Sequence, residues 1–321
     1  YSVVSWSGSW SNTDGPDDSN SATISSNYTF SSDGKFTCDD LTVNAGIILT
    51  VDSEEALVVN GDITNNGTIV IESGGSLITY NGNTFSGNIT IKRETRYADG
   101  KYSFVGSPVQ QDASITGTDL GSVVYEYDET EGFSDQGINR WMDASANELV
   151  PGRGYAQAFQ KEISFTGTPN SGTIVYNGTF TDLTNSNPEG WNLVSNPYPA
   201  AISVNRFLAE NSNINGAVYF WDDNNSESAR GSNADYITAN GIAVTQTSSA
   251  GNNDRFNQHI GAMQGFFVKL NDDTNTAITF TESMRVSTSN ADDSYFRSNV
   301  SIPFVRINLT NNSGLFKQTI L

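Results

Sequence analysis

The feature that most constrains this chain is ordered self-similarity. Gly190-Trp-Asn-Leu-Val-Ser-Asn-Pro-Tyr-Pro199 has a weaker echo in Lys101-Tyr-Ser-Phe-Val-Gly-Ser-Pro-Val-Gln110, with Tyr102, Val105 and Pro108 opposite Trp191, Val194 and Pro197 at an offset of 89. Gly121-Ser-Val-Val-Tyr-Glu-Tyr-Asp-Glu129 aligns with Gly216-Ala-Val-Tyr-Phe-Trp-Asp-Asp-Asn224 at an offset of 95. Gly154-Tyr-Ala meets Gly265-Phe-Phe at 111, and Ile163-Ser-Phe-Thr meets Ile278-Thr-Phe-Thr at 115. The order is kept while the offset grows. A duplicated domain whose loops lengthen in one copy gives this pattern, and such repeats set the architecture before any local signal does.

A second, shorter period precedes it. Leu57-Val-Val-Asn-Gly61 returns as Leu77-Ile-Thr-Tyr-Asn81, and Gly67-Thr-Ile-Val-Ile71 as Gly87-Asn-Ile-Thr-Ile91, both at an offset of 20. Ile47–Val51 and Leu41–Asn44 extend the series upstream. A coil of about 20 residues, with two short β-branched strands and Asn-Gly corners, predicts a β-solenoid. Asn and Gly serve such corners because they tolerate positive φ. Ser5-Trp-Ser-Gly-Ser-Trp10 and Asp14-Gly-Pro-Asp-Asp18 read as a loop-rich entry whose Trp6 and Trp10 cap the coils. Ile91-Lys-Arg-Glu-Thr-Arg96 marks the junction, either as an anion site or, more commonly for such a run, as a solvated linker.

The predicted fold is therefore all-β: a short β-solenoid over 1–93, then two related jelly-roll-like β-sandwich domains over 94–185 and 186–321. Strands are expected at Tyr102–Val105, Val123–Tyr127, Tyr155–Phe159, Ile163–Thr166 and Thr173–Tyr176 in the first copy. In the second they are expected at Trp191–Val194, Ala217–Trp221, Gly265–Leu270, Ala277–Thr281, Phe304–Leu309 and Leu315–Ile320. Most alternate apolar and polar residues. One short helix is expected at Val204–Asn211. The chain reaches Leu321 without a closing turn, so further polypeptide is expected to follow it, and Tyr1 reads as the start of a mature chain.

Charge narrows the partners. With 36 acidic against 16 basic residues the net charge is -20, which repels nucleic acid and anionic membrane surfaces. No run approaches the roughly 18 apolar residues of a membrane span. Cys38 is the only cysteine and His259 the only histidine, which removes disulfide frameworks, thiolate metal sites and His-pair zinc sites. His259 has no Gly-x-Ser-x-Gly partner, and Pro151-Gly-Arg-Gly154 lacks the Lys and helix of a phosphate loop.

Three candidate sites remain. Asp128 and Glu129, and Asp222 and Asp223, each follow an aromatic strand. Carboxylates repeated in two copies suggest a shared structural role more than a glycosidase pair. Asp222, Asp223 and Asn225, and Asp14, Asp17 and Asp18, have the hard oxygen ligands that calcium takes, without the spacing of a known calcium loop. Trp141, Tyr219 and Trp221 are candidate stacking faces for sugar rings, and calcium is the only cofactor considered.

Gly190–Pro199, together with Met263-Gln-Gly-Phe-Phe-Val-Lys269, resembles the ectodomains of Bacteroidota surface proteins exported by the type IX secretion system. Those carry a similar strand and corner, then a similar aromatic strand, ahead of a C-terminal sorting domain. Pro303–Leu309 and Gly314–Gln318 look like the run into that domain, which is missing here. The resemblance covers roughly 190–321 well and 97–183 weakly. It implies an extracellular or cell-surface location and passage through the type IX export machinery, and no particular reaction.

These readings converge on a non-catalytic structural or adhesive surface protein, a stalk or filament subunit among the options. Its partners would be other copies of itself or extracellular polymers. Exposed edge strands can add a neighbour's strand, and Phe304, Val305, Ile307 and Leu309, or Leu315, Phe316 and Ile320, are the candidate assembly strands. The alternative is a carbohydrate-binding module of a secreted polysaccharide-degrading system.

Overall fold

A computed structural model describes residues 2–80, 82–95, 102–130, 140–158, 160, 162–181, 190–221, 236–241 and 258–286, and the backbone of 133–134, 137–138, 244–246, 306–310 and 316–320. The described chain is all-β and opens with a solenoid of about four turns.

The solenoid has three faces. One is β1 (Ser2–Trp6), β2 (Asn20–Ile24), β5 (Leu41–Val43), β8 (Ile63–Asn65) and β11 (Phe85–Ser86), all parallel. The second is β3 (Tyr28–Thr29), β6 (Ile48–Val51), β9 (Thr68–Ile71) and β12 (Ile89–Glu94). The third is β4 (Thr37–Cys38), β7 (Ala56–Val59) and β10 (Ser76–Ile78). Leu49, Ile69 and Ile89 stack in register on one face, and Leu57 on Leu77 on another. Each is essentially inaccessible. Alternation puts these side chains inward, and stacking coils make one continuous core that a single coil could not enclose. The N-terminal end is closed by Trp6, Trp10, Tyr28, Phe30 and Phe36, whose rings meet edge-on, Trp6 to Tyr28 at 4.7 Å and Trp10 to Phe36 at 5.3 Å between centroids. The one-turn helix α1 (Phe30–Asp33) carries part of that cap.

Two expectations are corrected here. A full coil has three strands where two were expected, and the first solenoid strand, β1, runs into Ser5–Trp10, which was read as an entry loop. The missed strands β8 and β11 are only three and two residues long, too short for alternation to register. Trp6 is both the inward residue of β1 and part of the cap.

The rest of the chain carries two main sheets. The first runs β13 (Tyr102–Val105), β18 (Tyr155–Ala158), β14 (Val123–Tyr127), β17 (Trp141–Asp143), with a two-residue ladder of β15 (Phe133–Ser134) and β16 (Gly137–Ile138) in the connection to β17. The second runs β21 (Trp191–Ser195), β27 (Gly265–Lys269), β23 (Val218–Trp221), β24 (Tyr236–Ala239), β25 (Val244–Gln246). First, third and second strand of each repeat therefore lie in the same order. The registers agree as well: Phe104 opposes Ala156 and Leu193 opposes Phe267, positions related by the offsets 89 and 111.

Behind these sheets the match continues. β19 (Glu162–Gly167) pairs antiparallel with β12, and β28 (Ala277–Phe280) with β20 (Ile174–Asn177). Phe165 opposes Ile91, and Phe280 opposes Ile174. The last strand of the solenoid thus occupies in the first repeat the place of β20 in the second. β22 (Ile202–Ser203) pairs with β26 (His259–Ile260), and α2 (Val204–Glu210), capped by the Ser203 hydroxyl, packs Val204 and Phe207 into the second core. This helix lies where it was expected. β29 (Arg306–Thr310) and β30 (Phe316–Ile320) pair with each other.

One alignment is corrected. Tyr125 opposes Ala156 and Tyr219 opposes Phe267, so the second strands match at an offset of 94. The Gly-anchored offset of 95 would place Val124 with Tyr219. Val124 is in the core shared with the solenoid while Tyr219 lies on the opposite kind of face, and a one-residue slip inverts every side chain in a strand.

Candidate functional site

Side-chain alternation gives each main sheet two different faces. In the second sheet Val194, Val218, Phe220, Ile237, Phe266 and Val268 point toward α2 and β28. In the first sheet Val105, Val124 and Tyr155 join the solenoid core. The other faces are aromatic: Tyr102, Phe104, Tyr125, Tyr127 and Trp141 from one sheet, Trp191, Tyr219, Trp221, Tyr236 and Phe267 from the other. These faces meet. Phe267 lies at their centre, 5.0 Å from the ring of Tyr127, 5.5 Å from Phe104 and 6.1 Å from Trp141.

Equivalent contacts hold the two sheets at one end. Val105 bridges to Gln264 and Val194 to Arg153. The Gly106 amide donates to the Met263 carbonyl at 3.0 Å, and the Ser195 amide to Gly152 at 2.9 Å. Each pair maps onto the other through the offsets 89 and 111, so the two repeats meet about a local pseudo-two-fold axis. Two glycines make the approach possible. A Cβ on Gly154 would lie 2.7 Å from the Val194 carbonyl oxygen, and one on Gly265 would lie 2.7 Å from the Phe104 carbonyl carbon. The corners after β13 and β21 are also matched. Ser107 Oγ accepts from the Val109 amide, and Asn196 Oδ1 from the Tyr198 amide, two residues on in both cases. Buried Asn170 ties them, its amide donating to the Pro108 carbonyl and its Nδ2 to Ser107 and Pro197.

The second corner also closes the solenoid. The Leu77 amide donates to the Pro199 carbonyl at 2.8 Å, Arg285 donates to the Thr79 carbonyl, and Arg93 to the Ala262 carbonyl. Arg285 lies 5.4 Å from the Tyr198 ring centroid and pairs with Glu282 at 3.2 Å. Burial pulls its guanidinium pKa down.

Away from this seam the aromatic faces separate and leave a cleft of about 370 Å³. Tyr127, Trp141, Trp191, Tyr219, Tyr236, Thr238 and Phe267 line it. All but Phe267 are partly exposed. The size lies within the range of small-molecule sites, which are typically apolar with a few placed polar groups. Two of the three expected stacking residues, Trp141 and Tyr219, are in this lining. The third, Trp221, stacks on Phe104 at 6.1 Å instead. Sequence reasoning missed Tyr127, Trp191, Tyr236 and Phe267. Tyr127 opposes Trp141 and Phe267 opposes Tyr219 across the ladders, so strand pairing, which alternation along one strand does not show, brings them to the same face.

A buried ion pair braces the wall. Glu129 Oε2 lies 2.7 Å from Arg140 Nη1, and Arg140 also donates to the Tyr127 hydroxyl at 3.1 Å. Glu129 Oε1 accepts from the Gly190 amide and from Thr181. Burial raises the Glu129 carboxyl above the ordinary glutamate value, and the Gly190 amide, Arg140 and Thr181 pull it back. This acid is thus committed to joining the first sheet to the start of the second.

The other candidates are placed as follows. Asp17 turns its carboxylate onto the Ser19 amide and hydroxyl and onto Asn20. These bonds hold its pKa down. Among the described residues no three His, Cys, Asp or Glu side chains gather as a metal site, Asp14, Asp17 and Asp18 included. Asp128 caps Thr130 in a turn of the same kind. Asp222, Asp223, Asn225, Phe304, Val305 and Leu315 lie outside the described residues. Ile307 and Leu309 are on β29, and Phe316 and Ile320 on β30. His259 sits on β26 beside α2, not in the cleft lining. Burial lowers its pKa, with Arg206 adding to the effect. Cys38 is inside the solenoid, where burial raises its thiol to about 12. No described helix is long and apolar enough to cross a membrane.

Comparison with known families adds one finding. The chain belongs to the DUF8693 family, a domain of unknown function, matched over residues 4–321. No curated protein and no solved structure matches it. The DUF8693 match runs through solenoid and both repeats together, in keeping with β12 serving both.

Proposed function

We propose that this protein is a non-catalytic, extracellular adhesive component that holds a carbohydrate chain in the aromatic cleft. The observation that carries the reading is the lining: six aromatic rings, from both sheets, around an open cleft. Such rings offer apolar faces to the C–H surface of a sugar, and rings already locked edge-on by neighbours lose little freedom on binding. Among the described residues Glu129, joined through Arg140 to Tyr127 of the lining, is occupied by Arg140, Gly190 and Thr181, which favours binding over hydrolysis. We read the two repeats as duplicated β-sandwich units and the solenoid as their stalk-side platform. The extracellular setting and type IX export rest on the resemblance of Gly190–Pro199 and Met263–Lys269 to surface proteins. Calcium enters this reading through the segment that opens at Asp222, and a calcium titration followed by thermal melting tests it.

The test is electrophoresis of the full chain through gels containing different soluble polysaccharides. At least one polysaccharide retards the protein, and Trp141→Ala or Tyr219→Ala abolishes the retardation while far-UV circular dichroism is unchanged. Unretarded migration through a broad panel overturns the proposal. A second reading, a filament subunit, is favoured by β29 and β30, which among the described residues pair only with each other. Light scattering and micrographs at high concentration separate the two.

A further inference from the structure

Lys269 and Tyr219 bring hydrogen-bond donors to one end of the cleft, and we infer from them, on the carbohydrate reading above, that the ligand is a neutral polysaccharide read by these two side chains. Lys269 is two residues from Phe267 on β27 and so shares its face. Its Nζ lies 5.9 Å from the ring centroid of Trp191, which lines the cleft. It makes no ion pair among the described residues, so its ammonium protons are available to a ligand. Asn215 Nδ2 donates to the Tyr219 hydroxyl at 2.6 Å. That bond uses the hydroxyl as an acceptor and leaves its own proton free to donate. Lys269 opposes Trp191 in the ladder, and the Asn215 amide donates to the Lys269 carbonyl. The three side chains thus form one group at the end of the cleft away from the seam.

Donors select acceptors. Hydroxyl, ring and glycosidic oxygens supply them, whereas an ammonium ligand would meet Lys269 and, among the described lining residues, no carboxylate. An anionic polymer would satisfy the donors too, but the chain carries a net charge of -20. One lysine against that field favours an uncharged chain.

The experiment is calorimetric titration of the full protein with neutral, uronate and sulfated oligosaccharides of equal length, at low and high salt. Neutral oligomers bind best, and their affinity is insensitive to salt. Lys269→Met weakens them about tenfold, the loss expected for a charge-assisted hydrogen bond, and Lys269→Arg restores most of it. Tyr219→Phe, which keeps the stacking ring, weakens them by a smaller factor. Tighter binding of uronate or sulfated oligomers overturns the inference and leaves the carbohydrate reading standing, as does a Lys269→Met variant of unchanged affinity. Failure of every oligosaccharide class overturns both.

Discussion

Alanine at the two seam glycines tests the geometry on which the cleft depends. Gly265 and Gly154 are buried, and neither has a φ in the left-handed region, so an added methyl acts through space alone. The new Cβ of Gly265→Ala would lie 2.7 Å from both the Phe104 carbonyl carbon and Cβ and 2.8 Å from the Val105 nitrogen. Two of those obstacles are backbone, so relief requires the β13 strand to move. In Gly154→Ala the obstacles are the Val194 carbonyl, again backbone, and Leu193 Cγ, which can rotate away. Overpacking of this kind costs about 1–3 kcal/mol. Losing a glycine restrains the unfolded chain and returns about 0.4–1 kcal/mol. The net is a destabilisation of about 1–2 kcal/mol, with Gly265→Ala at least as costly as Gly154→Ala. At about 2–4 °C per kcal/mol for domains of this size, each variant melts several degrees lower by circular dichroism. The double variant costs less than the sum, because the first alanine already parts the strands that the second would push. An unchanged melting temperature in either single variant would refute the close pairing of the repeats.

Other outcomes follow from the same packing. Arg140→Met strands the Glu129 carboxylate in the interior and destabilises by about 3–5 kcal/mol in urea unfolding, and adding Glu129→Leu recovers much of the loss. Asn196→Ala leaves the carbonyls of Ala200, Ile260 and Gly261 without its Nδ2, and about 1–3 kcal/mol of stability is lost. The pKa of His259 is lowered on folding, so the unfolded chain binds its proton more readily. That contribution is present above the ordinary value of 6.5 and is lost as pH falls through the folded value. His259→Gln flattens this limb in melts taken against pH. The carboxyls of Asp17, Asp112, Asp143 and Asp272 are also lowered, by serine or threonine donors. Their limb lies lower, below about pH 4, and survives in the His259→Gln variant.

What was legible in the sequence was what repeats. The stacked Leu57 and Leu77, the matched Trp191 and Tyr102 strands and the Gly154–Gly265 pair all show at fixed offsets, because each occupies a place whose geometry recurs. The solenoid face of β8 and β11 was hidden in the later coils because these two strands are too short to alternate. The 95-residue alignment failed because a glycine turn is a weak anchor. Inward and outward faces of the strand, fixed by which residue opposes Ala156 or Phe267, were the stronger one. The cleft was half visible: Trp141 and Tyr219 stand out as aromatics, while Phe267 reads as core and Trp191 as part of a structural motif. Only the meeting of the two sheets makes them one surface.

That meeting also explains why the offset between the copies drifts as it does. It is 89 at β13 and β21, 94 at the second strands, 111 at the third and 115 at the fourth. Every increment falls in a connection, and none falls in the residues that touch across the pseudo-two-fold. Val105 with Gln264 and Val194 with Arg153 must keep their registers together, because a slip in one repeat would misplace its partner in the other. The largest increment lies between β23 and β27, in the connection that also supplies Tyr236 and Thr238 to the cleft. Length has therefore been added in the connection that carries two residues of the cleft lining and not in the strands of the seam. Two similar halves, held rigidly at one end, have become unequal where they open. An unequal cleft needs only one orientation of an extended chain to fit, so a directional polymer suits it better than a symmetric ligand.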